Sequence, residues 1–354
     1  MKKRILAVNT GSTSTEVQLW DGLDIVAQAK ISHTERELIR DKDVFDQFDL
    51  RYSTVLKFLS DNNVEVKTID AIAVRGGRLR PLESGVYRVN EKMLHHCKIG
   101  FQGDHPSNLA SHVAKKIAEP YGIPMFVVDP ITVDELDPIA RISGYALIER
   151  TSLSHALNMK AVAYKYCDDY KKNYKECKII VCHVGGGGSV SLHVNGRMID
   201  LYNSDKEGAF SVERSGGLPT IELVELCYSG KYDKTKMIRF LSGEGGLYSY
   251  LKTRDSKEIE ARIKGGDKDA ELIYKAMAYQ FAKSIGALAT AVNGEVDVIL
   301  ITGGVAWSDM FVGYLIPRIE FIAPVIKYPG GFEMEALVTG VLEALEGKRE
   351  IKEY

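Results

Sequence analysis

Four consecutive glycines, Gly185–Gly188, are the feature that most limits the folds open to this chain. Glycine loses more conformational freedom on folding than any other residue, so such a run does not belong inside a helix or a strand. The flanking segments 178–182 and 190–194 are an apolar run and an alternating segment, which predict two strands. The glycines therefore form a tight turn whose backbone N–H groups can approach an anion closely. An ordinary hairpin turn is the alternative, although such turns use one or two glycines.

A second copy of this pattern lies at the N-terminus. An apolar strand leads into a loop rich in Gly, Ser and Thr at 9–14, and an alternating strand then ends at an Asp-Gly turn. The central copy ends at an Asn-Gly turn. The spacing is eleven residues in both, from Gly11 to Gly22 and from Gly185 to Gly196. Strand, glycine loop, strand, Asx-Gly turn and strand in the same register indicate an internal duplication. Two such loops, one in each half, predict a nucleotide held in a cleft.

Composition limits the class of protein. A length of 354 residues predicts two domains. The net charge of −2 gives no reason to expect nucleic acid or an anionic membrane as partner. No apolar stretch approaches the roughly 20 residues that span a bilayer, and the first apolar run is too short for a signal peptide. The five cysteines form no Cys-x-x-Cys pair, which favours free thiols and a cytoplasmic location.

Two arginines stand in glycine-containing loops. Arg75 follows the apolar strand 70–74 and precedes Gly76 and Gly77, while Arg214 lies in a loop of small residues. Ligands of open α/β sheets bind at the carboxyl ends of strands, and a guanidinium binds carboxylate or phosphoryl oxygens in a bidentate manner. Both arginines are therefore predicted to contact an anion, and Arg214 is the better candidate.

Other segments carry polar residues beside predicted strands and helices. Asp129 follows the buried strand 124–128, where a site residue or a turn before Pro130 are both open readings. The strand 296–301 runs into Thr302-Gly303-Gly304, a third place where backbone can pack close to a ligand.

The predicted helices place two histidines. A largely helical segment, 149–169, carries His155, and Ser107 is a predicted N-cap of a helix over 108–120. His105, just before it, is a ligand contact or a structural residue. A further helix is predicted over 34–41.

These residues, in this order, resemble the motifs of the acetate and butyrate kinase family, part of the larger group of sugar kinases, Hsp70 chaperones and actin. Asn9–Ser14 resembles the first phosphate motif of that family, Asn-x-Gly-Ser-x-Ser, and His183–Ser189 resembles the second. Thr302-Gly303-Gly304 is similar to the adenosine motif, and Glu213–Gly216 to a Thr-Arg-Ser-Gly loop. Asp129 matches the aspartate after the central strand. The resemblance covers essentially the whole chain.

Details of the resemblance point to the butyrate kinase branch. Acetate kinases are usually longer. Arg75 stands directly before the two glycines, as in butyrate kinases, whereas acetate kinases have a histidine there. Of the two histidines in the acetate kinase segment Phe-His-Gly-Thr-Ser-His, only the second is kept, as His155, and Thr151 replaces the first. The segment Pro329–Leu337 is also similar to the carboxyl end of butyrate kinases.

The resemblance implies a fold, cofactors and partners. The fold would be α/β, with two duplicated ribonuclease H-like domains of the acetate and sugar kinase/Hsp70/actin type and an interdomain cleft. Residues 1–150 plus 332–354 would form the N-terminal domain, and 151–331 the nucleotide-binding domain. ATP/ADP and Mg²⁺ would be the cofactors. A small-molecule carboxylate and its acyl phosphate would be the partners, with no nucleic acid and no membrane, and the chain would form at least a dimer.

The resemblance also assigns roles to residues of this sequence. The catalytic residues would be Arg75, Asp129, His155 and Arg214. The residues that bind the nucleotide and its phosphates would be Gly11, Ser12, Thr13, Ser14, His183, Gly185, Gly186, Gly187, Gly188, Gly303 and Gly304. The residues that hold the metal would be Asn9 and Glu335, with Glu333 as the next candidate.

The expected reaction is phosphoryl transfer from ATP to butanoate and other short-chain acids. A carboxylate with a pKa of about 4.3 is already ionised at pH 7, so it needs no general base. It needs cancellation of the repulsion between an anionic nucleophile and anionic phosphates, which arginine supplies. An acetate or propionate kinase of the same family is the close alternative. An ATPase module like actin or Hsp70 is the distant one.

Overall fold

The computed structural model of the protein describes residues 2–38 and 43–354. The chain divides into two compact units, Met1–Asp134 with Phe332–Tyr354, and Glu135–Gly331. Each is described here by itself. Among the described residues, no helix is both long and apolar enough to cross a membrane.

The first unit has a mixed sheet covered by helices. Its strands are β1 (Arg4–Thr10), β2 (Ser14–Asp21), β3 (Asp24–Ser32), β4 (Ala71–Val74), β5 (Val86–Arg88), β6 (Met125–Val128) and β12 (Ile351–Lys352). Its helices are α1 (Glu35–Leu38), α2 (Phe48–Asp61), α3 (Glu91–Lys98), α4 (Asn108–Ala118) and α13 (Glu333–Leu345). The sheet order is β12-β5-β6-β4-β1-β2-β3. Strands β1 and β4 lie in the middle, which is why their apolar runs are buried on both faces.

The second unit has the same kind of sheet. Its strands are β7 (Lys178–Val184), β8 (Gly188–Val194), β9 (Arg197–Asn203), β10 (Val298–Gly303) and β11 (Val325–Pro329). Its helices are α5 (Pro138–Arg141), α6 (Ala156–Asp169), α7 (Thr220–Tyr228), α8 (Lys234–Ser242), α9 (Gly246–Leu251), α10 (Ser256–Lys264), α11 (Lys268–Thr290) and α12 (Asp309–Leu315). The sheet order is β11-β10-β7-β8-β9. Its core forms between this sheet and α11, through residues such as Tyr274, Phe281 and Ile285.

The two sheets confirm the internal duplication. The order β3-β2-β1-β4-β6 in the first unit matches β9-β8-β7-β10-β11 in the second. In each, the first three strands pair antiparallel, the fourth pairs parallel with the first, and the fifth pairs parallel with the fourth. In each unit, an Asx-Gly turn joins the second strand to the third, and its glycine has positive φ, 63° at Gly22 and 79° at Gly196. The expected α/β fold with two related domains is therefore confirmed.

In each unit, one helix that packs on the sheet comes, in the sequence, after the strands of the other unit. Helix α6 comes after β6 but packs on β7 and β10, whereas α13 comes after β11 but packs on β1, β4 and β6. Helix α13 approaches its sheet closely at Gly340, where a Cβ atom would lie 2.9 Å from Val128. The C-terminal segment thus completes the first unit, and the α6 segment completes the second.

The predicted helix over 149–169 begins later than expected, at Ala156. Its first residues are held extended because neighbouring side chains take their carbonyl groups. Lys206 Nζ donates to Thr151 O at 3.0 Å, and Asn203 Nδ2 donates to Leu153 O. These bonds satisfy the two carbonyl groups without a helix and tie the segment to residues near the end of β9.

Two further boundaries differ from the expected ones. Residues 135–150, which the sequence analysis placed with the first domain, make their contacts in the second unit. Asp137 N donates to Ile199 O at 2.9 Å, and the Arg150 guanidinium binds Asp200 at 2.9 Å. The helix predicted over 34–41 is present as α1, but its last three positions lie outside the described residues.

Candidate active site

The second glycine loop, Gly185–Gly188, joins β7 to β8. Its carbonyl groups are bound from one side, since Gly186 O accepts from Ser211 Oγ at 2.6 Å and Gly188 O accepts from Ser204 N at 2.9 Å. The N–H groups of Gly186 and Gly187 donate to no atom of the described residues. The loop therefore presents two backbone donors, as an anion-binding turn does.

Arg214 lies directly against this loop. A Cβ atom on Gly187 would be 2.4 Å from Arg214 Nη1 and 2.7 Å from its Cζ, so only glycine leaves room for the guanidinium. Arg214 Nη1 donates to Asp205 Oδ2 at 2.7 Å, and Nε is buried without a hydrogen-bond partner. The side chains of Arg214 and Asp205 are 17% and 18% exposed. A cation thus lies beside a loop that has two free N–H groups.

The backbone around Arg214 is fixed by close packing. Gly246, with φ 59°, would place a Cβ atom 2.0 Å from Ser211 O, and Gly216, with φ 62°, would place one 2.4 Å from Gly208 O. Glu213 N donates to Gly186 O at 3.2 Å, which ties the arginine loop to the glycine loop. Arg214 is therefore held by backbone contacts that tolerate no side chain at two positions.

Two histidines stack beside the same loop. The rings of His155 and His183 are 4.0 Å apart between centroids, with an interplanar angle of 10°. His155 Nδ1 is 2.9 Å from Ser189 Oγ, and His183 Nδ1 is 2.8 Å from Asn158 Nδ2. Asn158 also donates to Thr302 Oγ1 at 3.2 Å. The network joins β7, β8, β10 and α6 at the carboxyl end of β7.

The two glycines that follow Thr302 differ in their surroundings. Gly303 has φ 91°, and its Cβ atom would meet Val184 O at 2.3 Å, so glycine is needed there for packing against β7. A Cβ atom on Gly304 would meet nothing within 4 Å. Open space at Gly304 is the feature that the adenosine assignment requires.

The first glycine loop, residues 11–14, joins β1 to β2. Its backbone closes through Gly11 N, which donates to Ser14 O at 2.8 Å. The side chains of Ser12 and Thr13 are exposed, and their N–H groups donate to no atom of the described residues. This loop also offers two adjacent free donors, with hydroxyl groups in addition.

Asn9 and Glu16 lie opposite each other at the base of the first loop, as a cross-strand pair of β1 and β2. Asn9 is 9% exposed, and its Oδ1 has no hydrogen-bond partner. Burial raises the pKa of Glu16 above its ordinary value. Glu333 raises this pKa further, whereas Lys30 and Arg75 lower it. Glu333 and Arg75 therefore lie within electrostatic range of Glu16.

Arg75 stands at the end of β4, and the two positions after it have room only for glycine. Gly76 has φ 73° and would place a Cβ atom 2.5 Å from Val127, while Gly77 would place one 2.8 Å from the Asn108 Cα. Arg75 Nε is buried and has no hydrogen-bond partner. An unpaired guanidinium nitrogen at a strand end fits the predicted anion contact.

Asp129 has an unusual backbone conformation, with φ 39°. Its side chain is 4% exposed, and Oδ1 accepts from Ser84 Oγ at 2.6 Å and from Gly85 N at 2.8 Å. A left-handed conformation at a buried non-glycine residue is strained and is typical of functional sites. The carboxylate is thus held in a defined orientation after β6.

The remaining predicted residues are placed as follows. Glu335 is exposed on the first turn of α13, and Glu333, at its first position, is half-buried. No group of three or more His, Cys, Asp or Glu side chains within 2–38 and 43–354 forms a metal-binding cluster. The Ser107 hydroxyl does not cap α4, because it lies 2.7 Å from His105 Nδ1 instead.

Two residues that sequence reasoning did not single out contact these loops or the arginine beside them. Asp205 pairs with Arg214, and Arg51 of α2 donates to the carbonyl groups of the first loop, Gly11 O at 3.0 Å and Ser14 O at 2.7 Å. Neither lies in a recognisable motif. An arginine on an amphipathic helix and an aspartate in a polar loop are both usual at the surface.

Comparisons with known proteins agree over the full length. The chain is 43% identical over 355 residues to butyrate kinase 2 of Clostridium acetobutylicum, covering 100% of each chain. It is 44% identical over 351 residues to a probable butyrate kinase 2 of Caldanaerobacter subterraneus subsp. tengcongensis, covering 99% of each.

The family and fold comparisons point the same way. Residues 150–319 match the model of the acetokinase family. The crystal structure of Porphyromonas gingivalis acetate kinase superposes with a TM-score of 0.76 at 19% identity, covering 97% of this chain and 100% of that one. The likeness to the acetate kinase structure shows the shared fold. The identity to the butyrate kinases shows the family. The chain belongs to the acetate and butyrate kinase family.

Proposed function

We propose that the protein is an ATP-dependent butyrate kinase, which transfers the terminal phosphoryl group of ATP to butanoate and releases butanoyl phosphate and ADP. The observation that carries the proposal is the Arg214 guanidinium, which lies against Gly187 beside two free backbone donors. The relatives named above are butyrate kinases, and the acceptor is taken from them. The enzyme class is a phosphotransferase with a carboxyl group as acceptor, and members of this family use ATP and ADP.

The chemistry explains why the site is built from cations and backbone donors. The acceptor is already an anion, so the barrier comes largely from bringing it to another anion. Guanidinium groups and N–H groups fixed in advance stabilise the charge that develops on the transferring group. We assign this stabilisation to Arg214 and to Arg75. Asp205 neutralises Arg214 until an anion is present.

The second unit supplies the other groups that we assign to the nucleotide. The N–H groups of Gly186 and Gly187 would bind phosphate oxygens, and the open space at Gly304 would receive the adenosine. His183 is fixed by Asn158, and His155 is stacked on it, so both rings have defined orientations beside the loop. We assign His155 to hydrogen bonding with the transferring phosphoryl group.

The first unit supplies a further anion site and the residues that would hold Mg²⁺. Asn9 Oδ1 is a buried oxygen without a partner, and carboxylate and amide oxygens are the ligands that Mg²⁺ takes. Glu333 lies within electrostatic range of Glu16, whereas Glu335 is exposed. We therefore propose Asn9 and Glu333, ahead of Glu335, as the metal-holding residues, with Asp129 acting from its fixed position through water. A bound Mg²⁺ would reduce the negative charge of the phosphates.

We further propose that the enzyme works as a dimer or larger assembly in the cytoplasm. Helix α7 has no buried residue, although it carries apolar side chains such as Ile221 and Val224. A helix of nine residues is marginal in water without tertiary packing. The segment 139–148 also exposes apolar side chains. Arg150, two residues after this segment, contacts Glu207, and Gly217, three residues before α7, lies close to the Glu207 backbone. A second copy of the chain would cover this surface.

The first prediction concerns the acceptor. Rates measured with ATP and acetate, propionate, butyrate, isobutyrate and isovalerate should give the highest kcat/KM for butyrate, with branched acids next. One methylene group in an apolar pocket is worth about 10-fold or more in kcat/KM. A maximum at acetate or propionate would identify the close alternative, and ATP hydrolysis indifferent to every acid would contradict the kinase assignment.

The second prediction concerns Arg214. Arg214→Ala should lower kcat by about 10³-fold, with a smaller change in the KM for ATP, because the arginine acts mainly in the transition state. Arg214→Lys should recover part of the rate, since it keeps the charge and loses the planar fork. Arg197→Ala, which removes an exposed pairing with Asp137 in the same unit, is the matched control. A lower melting temperature with unchanged kcat would make Arg214 structural.

Gly187 tests the same contact from the other side. Gly187→Ala should also lower kcat, because the new Cβ atom displaces the guanidinium that now lies 2.4 Å from its position. Gly186→Ala meets only Glu213 Oε1, at 3.4 Å, so it leaves Arg214 in place and should chiefly raise the KM for ATP. Equal effects of the two substitutions on kcat would count against the contact.

The third prediction concerns the metal. Glu333→Gln should raise the Mg²⁺ concentration needed for half-maximal activity about 10-fold, because it removes a charged oxygen ligand. Glu335→Gln, two positions along the same helix, should shift the metal curve less. A larger shift for Glu335→Gln would restore Glu335 as the metal-holding residue.

The fourth prediction concerns assembly. Sedimentation velocity should show a dimer or larger species for the unmodified protein, and Ile221→Glu should dissociate it, because a charge cannot be buried unpaired in an apolar interface. Leu272→Glu is the control, since Leu272 is 64% exposed and lies on α11, which is not part of the apolar surface of α7 and 139–148. A monomeric unmodified protein would end this proposal.

A further inference from the structure

Arg51 is a fully buried arginine in the first unit. It belongs to α2, is 0% exposed, and makes four hydrogen bonds through its two terminal nitrogens. Nη1 donates to Ser14 O at 2.7 Å and to Thr15 Oγ1 at 3.0 Å. Nη2 donates to Gly11 O and to Gln47 Oε1, both at 3.0 Å. The guanidinium therefore spans the first glycine loop from its carbonyl side.

The charge of Arg51 has no counter-ion among the described residues. All four acceptors are neutral, and Nε has no hydrogen-bond partner. Burial lowers the pKa of Arg51 to about 10, which still leaves it protonated at pH 7. His33, which shares the Thr15 hydroxyl at 2.8 Å, is itself buried, and its pKa is lowered first by burial and then by Arg51. Nothing described here neutralises the guanidinium.

A buried charge without a counter-ion is costly even when it is hydrogen-bonded, so an anion bound nearby would offset part of that cost. The loop in front of Arg51 is arranged for such a ligand. Its carbonyl groups at Gly11 and Ser14 point to Arg51, while the N–H groups of Ser12 and Thr13 and their exposed side chains are left for another partner. An anion bound by these donors would lie on a loop whose carbonyl groups are held by a cation.

We propose that Arg51 is the positioning residue of the first glycine loop and the built-in counter-charge of the phosphate group that this loop binds. The inference rests on the proposed function for the identity of the phosphate, which is that of a nucleotide. Arg51 acts through the loop and does not touch the substrate. It holds the carbonyl groups of Gly11 and Ser14, so that neither of these two oxygens is left to face the phosphate, and its charge favours the anion.

The test separates phosphate binding from folding. Calorimetric titration of Arg51→Gln should show ATP affinity reduced about 10- to 100-fold, because a hydrogen-bonded charge near the phosphate is lost. The affinity for adenosine, which lacks phosphates, should not change. Arg51→Lys keeps the charge without the fork and should lose less. Lys57→Gln removes an exposed lysine of the same helix, paired with Asp61, and should bind ATP as the unmodified protein does.

Thermal unfolding supplies the second readout. Pyrophosphate should raise the melting temperature of the unmodified protein and raise it less in Arg51→Gln. A merely structural arginine would instead lower the melting temperature without ligand and leave the ATP affinity and the pyrophosphate effect intact, which would overturn the proposal. If Arg51→Gln does not fold, Gln47→Met carries the test. It removes one of the four hydrogen bonds and should weaken ATP about 3- to 10-fold without affecting adenosine.

The experiments distinguish an error in the role of Arg51 from an error in the proposed function. If the unmodified protein binds ATP and phosphorylates a carboxylic acid while Arg51→Gln, Arg51→Lys and Gln47→Met behave like it, only the role of Arg51 is wrong. If the unmodified protein binds pyrophosphate in an Arg51-dependent manner but phosphorylates no acid, the anion site stands and the kinase assignment falls.

Discussion

The structure depends on one constraint, the hydrogen bonding of a sharp loop between two antiparallel strands. Every peptide group of such a loop brings one donor and one acceptor, and a buried group without a partner is costly. A loop that is to bind an anion must leave its N–H groups open, so its carbonyl groups must find donors elsewhere. In the second loop, the donors come from Ser211, Glu213 and Ser204. These contacts also fix the segment that carries Arg214.

The duplicated halves satisfy this constraint in different ways. Behind the second loop the donors are neutral, and the cation, Arg214, lies against Gly187 with Asp205 as its counter-ion. Behind the first loop the donor is itself the cation, Arg51, and it has only neutral acceptors. The two supersecondary units therefore share their strand order and their open N–H groups but differ in how the arginine contacts the loop.

The loops and hairpins could be predicted from the sequence, because each is formed by residues that are close together in the chain. The glycine loops and the Asx-Gly turns need a backbone geometry that few other residues adopt. The hairpins can therefore be predicted from Gly11, Gly22, Gly185 and Gly196 alone. Arg51 could not be predicted, because nothing in its own segment distinguishes a buried arginine from an exposed one. The late start of α6 was equally hidden, since it depends on Asn203 and Lys206, which lie 50 and 55 residues along the chain from the carbonyl groups that they bind.

The difference between the two arginines has a consequence for how anions are bound. Arg214 is neutralised by Asp205, so an anion that approaches the second loop competes with a carboxylate already 2.7 Å from the guanidinium. Arg51 has no such competitor, and an anion at the first loop relieves a charge that the fold otherwise leaves uncompensated. Electrostatic attraction per bound phosphate should therefore be larger at the first loop. At the second loop, part of the charge of Arg214 becomes available only when Asp205 is displaced or shares it. Under the proposed function, the charge of Arg214 would then be available to the anionic groups that meet in the transition state, and stabilisation there raises kcat.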